Sequence, residues 1–391
     1  MEIANKEFSN KFKSLMKNPS LLILLIAIFV VLFIFIIYPL FKVLIISFTD
    51  NNNNFSLDVY KSILSNDYMK QGFKNSILVA TLTAVIGTLI GYLYAYTINR
   101  TNIPFKKFFR TIAIVPMVFP PFIGAMSIIM LFGFNGLITS KLFGIRTFPV
   151  YGLWGLMIAQ VITFFPVAFI TLDGVLSTIS PTLEDAAFNL KASRWQVFTK
   201  VTLPLSVPGI ASTMLVLFIE SLADFGNPLI LAGASFPVLS VQAYLEITGM
   251  FNLKNGAALA VWLLVPSLIA FILQKYWVNK KKYITVTGKP TTSQVKSVST
   301  SAKWILFTLC MIVSIFIVLI YATIFWGAFT KAWGMNNQFT LDNFKYVFDV
   351  GKESIKDTLA IALTSTPISA LLGMIIAFLI VRKSFPGKKA L

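Results

Sequence analysis

The chain has no histidine, and only one cysteine, Cys310, among its 391 residues. Imidazole catalysis and imidazole ligation of a metal are thereby excluded, and so is an internal disulfide. Charge is scarce as well: Asp, Glu, Lys and Arg make up 12% of the residues, where a soluble domain averages about 25%. Acid is scarcer than base, with 15 Asp and Glu against 33 Lys and Arg and a formal charge of +18. Carboxylates this few and this scattered offer no permanent metal site, and no cofactor is expected. What fills the chain instead is apolar sequence, 57% of the residues, in runs far longer than a soluble core needs. The surplus of base is not the mark of a nucleic-acid partner, because no soluble fold carries it; a bias of Lys and Arg toward one side of a membrane explains it. The first apolar run is too long for a cleaved leader and no small-residue cleavage site follows it, so it is expected to stay as an anchor in membrane lipid.

Apolar segments fall at 21–37 (continuing past Tyr38-Pro39), 74–98, 111–133, 150–172, 208–232, 257–277, 303–327 and 357–380. Each approaches the roughly 20 residues that cross about 30 Å of hydrocarbon as a helix. The expected fold is all-α, a polytopic membrane protein of about eight transmembrane helices. Most Lys and Arg lie before residue 20, at 100–110, in the loop 173–207, at 275–303 and after 381. Alternate loops therefore share one side, which places the amino terminus and the 173–207 loop inside. Tyr276, Trp277, Trp304 and Trp326, near span ends, suit interfacial anchoring.

The 173–207 loop is the most informative stretch. Ser180-Pro181 can open a helix with Ser as its cap and Pro in its first turn, and Glu184 and Asp185 then sit where the helix dipole favours acid. Ser193 and Gln196 have the capping-box spacing for a second, short helix that Pro204 is expected to end. That helix displays Trp195, Phe198 and Val201. It is too short to persist without something to pack against, so the loop reads as a docking surface.

These residues resemble the cytoplasmic coupling loop of ABC-importer permeases: an acidic-Ala-Ala triplet (Asp185, Ala186, Ala187), a turn, Ala192-Ser193, Trp195, Phe198, the stop Leu203-Pro204-Leu205, and Pro208-Gly209. Lys191 stands where the pattern has glycine. A left-handed turn there costs a Lys about 1 kcal/mol. The resemblance implies that Glu184, Asp185, Ala186, Ala187, Lys191, Ser193, Trp195, Phe198, Leu203 and Pro204 form the coupling loop. It implies as partners an ATP-binding cassette ATPase dimer inside and an extracytoplasmic substrate-binding protein outside. The chain itself would be no enzyme, and it would sit in the bacterial cytoplasmic (inner) membrane.

The sequence also repeats. The heptad 55–61 recurs at 339–345, and 75–107 aligns with 357–389 without a gap, matching Gly91 with Gly373, Ala95 with Ala377, Arg100 with Arg382 and Pro104 with Pro386. Both copies run from an outer loop through a span to a basic inner turn, a parallel repeat. The expected organisation is an inner amino-terminal segment 1–20, a complete six-helix permease repeat 21–277, a linker 278–302, and the first two helices of a second repeat, 303–391. On this reading the second copy stops short, so a second permease half, with its own coupling loop, is expected in a longer product or a separate chain. Thr287-Gly288-Lys289 in the linker is no phosphate loop, since Pro290 and Tyr283 occupy positions that motif reserves for Ser/Thr and Gly.

Fused two-copy permeases with such a linker resemble the ferric-iron branch of these importers, through Ala223-Asp224-Phe225-Gly226-Asn227-Pro228, Gln274-Lys275-Tyr276-Trp277 and the linker run 283–289. Permeases for polyamine, thiamine, organophosphonate and sulfate share much of the pattern. Within the spans, Glu220 and Asp224 are the informative acids, four apart on one face of the fifth span, near its middle and outer part. An acid in hydrocarbon costs about 2.5–3.5 kcal/mol, so each is expected to face the bundle or a water-filled path. Asp224 has two readings: it lines a cation path, or it caps a turn beyond the helix end. Pro116, Pro120, Pro121 and Pro166 break backbone bonds within apolar segments, and Asp173-Gly174 reads as structural. Two further classes compete with the importer: a secondary transporter that uses Glu220 and Asp224 for proton coupling, and a non-transporting scaffold.

Overall fold

The computed structural model describes residues 18–50, 52, 54–145, 149–278, 298–383, 385 and 388. The amino-terminal segment, the linker with Thr287-Gly288-Lys289, and Pro386 and Lys389 of the repeat lie outside these. Among the described residues the strands are one short antiparallel pair, Thr330–Ala332 with Asn336–Phe339. Everything else of length is helix.

Among the described residues, eight helices are long and apolar enough to cross a membrane: Pro19–Ser47, Asp67–Arg100, Phe122–Leu142, Leu153–Thr178, Arg194–Ala223, Leu253–Tyr276, Thr300–Ala328 and Lys352–Arg382. They are called the first to eighth spans below, and they answer one to one to the expected segments. Two of them, the third and the fifth, are displaced along the chain at both ends, and proline is the reason in both. The expected third span, 111–133, is broken into a helix Lys106–Ile114, a tight turn Val115–Val118 and a new helix from Phe122. Pro116, Pro120 and Pro121 lack the N–H that would carry one helix through.

The fifth span was expected at 208–232 but starts fourteen residues earlier, at Arg194, and ends at Ala223. Pro204 therefore does not end the second loop helix. A π-turn over Phe198–Thr202 precedes it, with the Leu203 N–H reaching back to the Phe198 carbonyl. Pro204 then sits in the first turn of the next α-helical stretch, where its missing N–H costs nothing.

The chain divides into two compact units. In the larger, Ile46–Thr340, the second span packs along the fourth and fifth. Gly91 permits the first of these contacts. A Cβ built on it would lie 2.7 Å from the Ala168 Cβ, with backbone atoms of Ala168 and Phe169 just behind. The buried core nearby is aromatic: the Tyr94 ring stands edge-on to Phe109, Phe165 and Phe169, pairs that each contribute about 0.5–1.5 kcal/mol beyond burial. Its hydroxyl donates to the Phe109 carbonyl at 3.1 Å and lies 2.9 Å from Ser314 Oγ of the seventh span. The seventh span is held at two further points, where Ser127 Oγ donates to the Ile320 carbonyl and Trp333 Nε1, just past the span, donates to that of Met130. Cys310 is buried in this contact. In the smaller unit, Met1–Ile45 with Leu341–Leu391, Leu25 and Ile28 of the first span pack against Leu379 and Phe385 beyond or near the end of the eighth.

Replacing Gly91 with Val should force the second and fourth spans apart and destabilise the fold by about 1–3 kcal/mol, the usual result of overpacking. Thermal unfolding of the purified membrane protein measures this, and an unchanged midpoint would contradict the close approach.

Candidate functional site

The 173–207 loop forms both expected helices with the expected caps. Ser180 Oγ accepts from the Thr182 N–H at 3.4 Å and Pro181 opens the helix Pro181–Asn189. Ser193 Oγ accepts from the Gln196 N–H, while Gln196 Oε1 accepts from the Ser193 N–H at 2.7 Å, a complete capping box for Arg194–Val197. Between the two, Lys191 adopts φ +62°. Its N–H donates to the Phe188 carbonyl and the Ala192 N–H to that of Ala187, the paired bonds of a left-handed helix ending that usually takes glycine.

The face the loop turns outward differs in part from the expected one. Asp185, Ala186, Lys191, Ser193 and Pro204 are exposed, and Trp195 is 71% exposed. Ala187 and Leu203 are half-buried. Phe198 is also half-buried, its ring edge-on to Tyr96 at 5.2 Å, with Trp195 tilted against its other side at 5.6 Å. Phe198 thus props Trp195 from beneath instead of facing solvent. Leu190, at 85% exposure, and Leu183 join the outward face. Neither was expected, although an apolar residue beside a turn in a polar loop is a usable signal.

Glu184 lies in the first turn of the loop helix, as expected, but points inward: it is buried, with its Oε1 2.7 Å from Arg100 Nε at the end of the second span. The side chains of the pair are 4% and 2% exposed. Arg100 Nη2 also donates to the Ile179 carbonyl at 3.0 Å, and Thr202 Oγ1 donates to Glu184 Oε1 at 2.9 Å. Helix geometry explains the inversion: Glu184 and Asp185 are adjacent, so they point about 100° apart and only one can face out. Removing one partner of such a buried pair costs about 3–5 kcal/mol, because the other charge is left uncompensated. A second link lies nearby. Asp173 accepts from Asn99 Nδ2 at 2.7 Å and from Arg110 Nη2 at 3.0 Å, in keeping with its structural reading.

At the opposite end of the fifth span, Asp224 lies beyond the last helical residue, so it and Glu220 do not share one helix face. Its backbone is extended and its side chain buried, accepting from Gln160 Nε2 and Asn227 Nδ2, each at 2.9 Å. Gln160 Oε1 in turn accepts from Thr83 Oγ1 and Ser221 Oγ, and Asn227 Nδ2 reaches Thr163 Oγ1. Of the two readings of Asp224, this placement is that of the turn cap. Glu220 is half-buried, and its Oε2 is buried without a hydrogen-bond partner among the described residues. No cluster of His, Cys, Asp and Glu suited to a metal occurs among the described residues.

Eight apolar helices among the described residues, with a capped two-helix loop pinned to the end of the second span, define a multi-pass helical membrane protein. Residues 87–283 match the family described as binding-protein-dependent transport system inner membrane component, and the chain belongs to that family. Among its relatives is the ferric transport system permease protein FbpB of Actinobacillus pleuropneumoniae, 33% identical over 393 residues, covering 97% of this chain and 57% of the relative. The spermidine/putrescine transport system permease protein PotC of Escherichia coli is 28% identical over 223 residues, 57% of this chain and 79% of that one. The chain thus spans less than two thirds of the length of its ferric-transport relative. A bacterial alginate ABC transporter crystallised with an alginate-bound periplasmic protein shares the fold, with a TM-score of 0.60 at 18% identity over 69% of this chain and 98% of its own.

Lys191→Gly should relieve the left-handed turn and stabilise the loop by up to about 1 kcal/mol. Hydrogen exchange of the 186–192 amides should slow accordingly; faster exchange would mean that the Lys191 side chain makes a stabilising contact of its own.

Proposed function

We propose that the chain is a permease subunit of an ATP-driven, binding-protein-dependent importer in the bacterial cytoplasmic membrane, with ferric iron as its cargo. The observation that carries the reading is the loop. Its outward face gathers Asp185, Ala186, Leu190 and Trp195, while its inward face is locked to the second span through Glu184 and Arg100. An exposed tryptophan and leucine on two short capped helices form a surface that gains by being covered. A partner with an apolar cleft fits it, and the partner proposed is an ATPase subunit on the inner side, the side toward which the bias of Lys and Arg in the loops points.

The ferric assignment comes from the FbpB relative, whose match runs along nearly the whole chain. In the working cycle, closure of the ATPase dimer on ATP pulls on the loop, and the spans rearrange to alternate access. A substrate-binding protein delivers cargo to the other side. The two-copy organisation is supported by packing: the seventh span sits on the second through Tyr94 and Ser314, and the first span sits on the eighth through Leu25, Ile28 and Leu379. Each copy's first helix therefore lies on the other copy's second. A second permease half with its own loop is part of this proposal.

Glu220 is the path residue of choice, because its buried, unpartnered oxygen is free to meet a passing cation. Asp224 holds the turn beyond it.

Asp185→Lys and Trp195→Ala should each reduce recovery of the ATPase with the permease by about tenfold or more, with permease insertion unchanged. Undiminished co-purification from both variants would overturn the docking reading. Glu220→Gln should lower ATP-driven uptake several-fold, roughly the loss of one charge-assisted contact, at constant membrane abundance. If that variant fails to accumulate instead, Glu220 is a structural residue. Uptake that follows an imposed proton gradient without ATP would favour secondary transport.

A further inference from the structure

We infer that Arg100 and Glu184 form a transmission joint, a positioning pair that makes the loop and the adjoining ends of the second and fifth spans move as one body. The inference rests on the importer reading above and adds the residues through which loop movement reaches the spans.

Three elements meet at the Glu184 carboxylate: Arg100 is the last residue of the second span, Glu184 lies in the first loop helix, and Thr202 closes the π-turn near the start of the fifth span. Glu184 is the one fully buried residue of the nine in its helix. The attachment of that helix to the bundle therefore runs through a charged side chain and not through an apolar face. This difference matters mechanically. Apolar surfaces in contact can slide past one another at little cost, whereas a buried ion pair with hydrogen bonds of fixed direction resists displacement. Burial also keeps water and salt from screening the pair. Arg100 adds a fork, with Nε on the carboxylate and Nη2 on the Ile179 carbonyl, just before the loop helix begins. Lysine cannot make both contacts.

The second span can pass the movement on. From Arg100 it runs as one helix back to Thr83, about 25 Å away, where Thr83 donates to Gln160 in the network that holds Ser221 and Asp224. Along the way its backbone closes on the fourth span at Gly91. Displacement of the loop thus reaches the polar network beside the proposed path through a rigid helix. Arg382 ends the eighth span as Arg100 ends the second, so the repeat carries the arginine of the joint twice.

The test uses the complete permease–ATPase complex in proteoliposomes. Arg100→Lys and Glu184→Gln should lower cargo moved per ATP by about tenfold, a ratio read against ATP hydrolysis and ATPase content of the same vesicles. The double exchange Arg100→Glu with Glu184→Arg should recover part of that loss. Cargo per ATP equal to wild type in both single variants would overturn the joint, as would hydrolysis falling in step with uptake. Should the variants fail to accumulate, spin labels at exposed Asn102 and Ala186, in a Cys310→Ser background, decide the matter in the unaltered joint. Their separation should stay constant as ATP binds, and a change of several ångströms would overturn the single-body movement. A wild-type chain that binds no ATPase removes the importer reading and the joint together.

Discussion

A polar side chain carried into an apolar bundle must find its partners within the protein, because neither hydrocarbon nor packed aromatic rings can supply them. That constraint organises much of this molecule. Arg100 would be intolerable at the end of the second span without Glu184, and Glu184 would be equally so without Arg100 and Thr202. The Tyr94 hydroxyl, deep among rings, is satisfied by Phe109 and by Ser314 of the seventh span. Asp224 is tolerated because Gln160 and Asn227 both donate to it. In each case the partner lies on another helix or beyond a turn, so the same bonds that remove the penalty also fix how the helices meet. Apolar packing holds the spans together, but it specifies register weakly; the polar contacts settle it.

Proline shapes the two places where function is proposed. At Pro120 and Pro121 the backbone breaks, separating the amphipathic helix Lys106–Ile114 from the third span. That helix is then free to bury Phe109 against Tyr94 and to bring Arg110 to Asp173. Pro204 has the opposite outcome. With a π-turn ahead of it, the helix runs on, so the second loop helix is the beginning of the fifth span and not a separate element. Force on Trp195 is therefore force on the helix that carries Glu220. A helix that stopped at Pro204 would have needed a flexible joint there, and movement would have been lost in it.

The internal repeat gains physical meaning from the way its copies pack. Gly91 and Gly373 align in sequence, yet Gly91 is pressed against Ala168 while Gly373 meets nothing within 4 Å among the described residues. The need for a small residue at this position is therefore explained by contact in one copy only. Within the larger unit the seventh span packs on the second, and within the smaller unit the first span packs on the eighth.

The sequence by itself determined the features whose partners are close along the chain. Eight spans follow from apolar run length, and the loop caps follow from Ser180, Pro181, Ser193 and Gln196, because each cap bonds within three residues of itself. The left-handed turn at Lys191 was suggested only by the family resemblance, which has glycine there, and the backbone of the folded loop adopts it. Tertiary structure alone decided which of two adjacent acids faces in. Glu184 and Asp185 are alike in chemistry and in helix position, and the choice depends on Arg100, 84 residues earlier. It likewise decided that Asp224 caps a turn, since Gln160 lies 64 residues away, and that Phe198 supports Trp195 from within by resting on Tyr96. Local pattern can say that a buried charge needs a partner, but which residue meets it is settled only when distant helices pack.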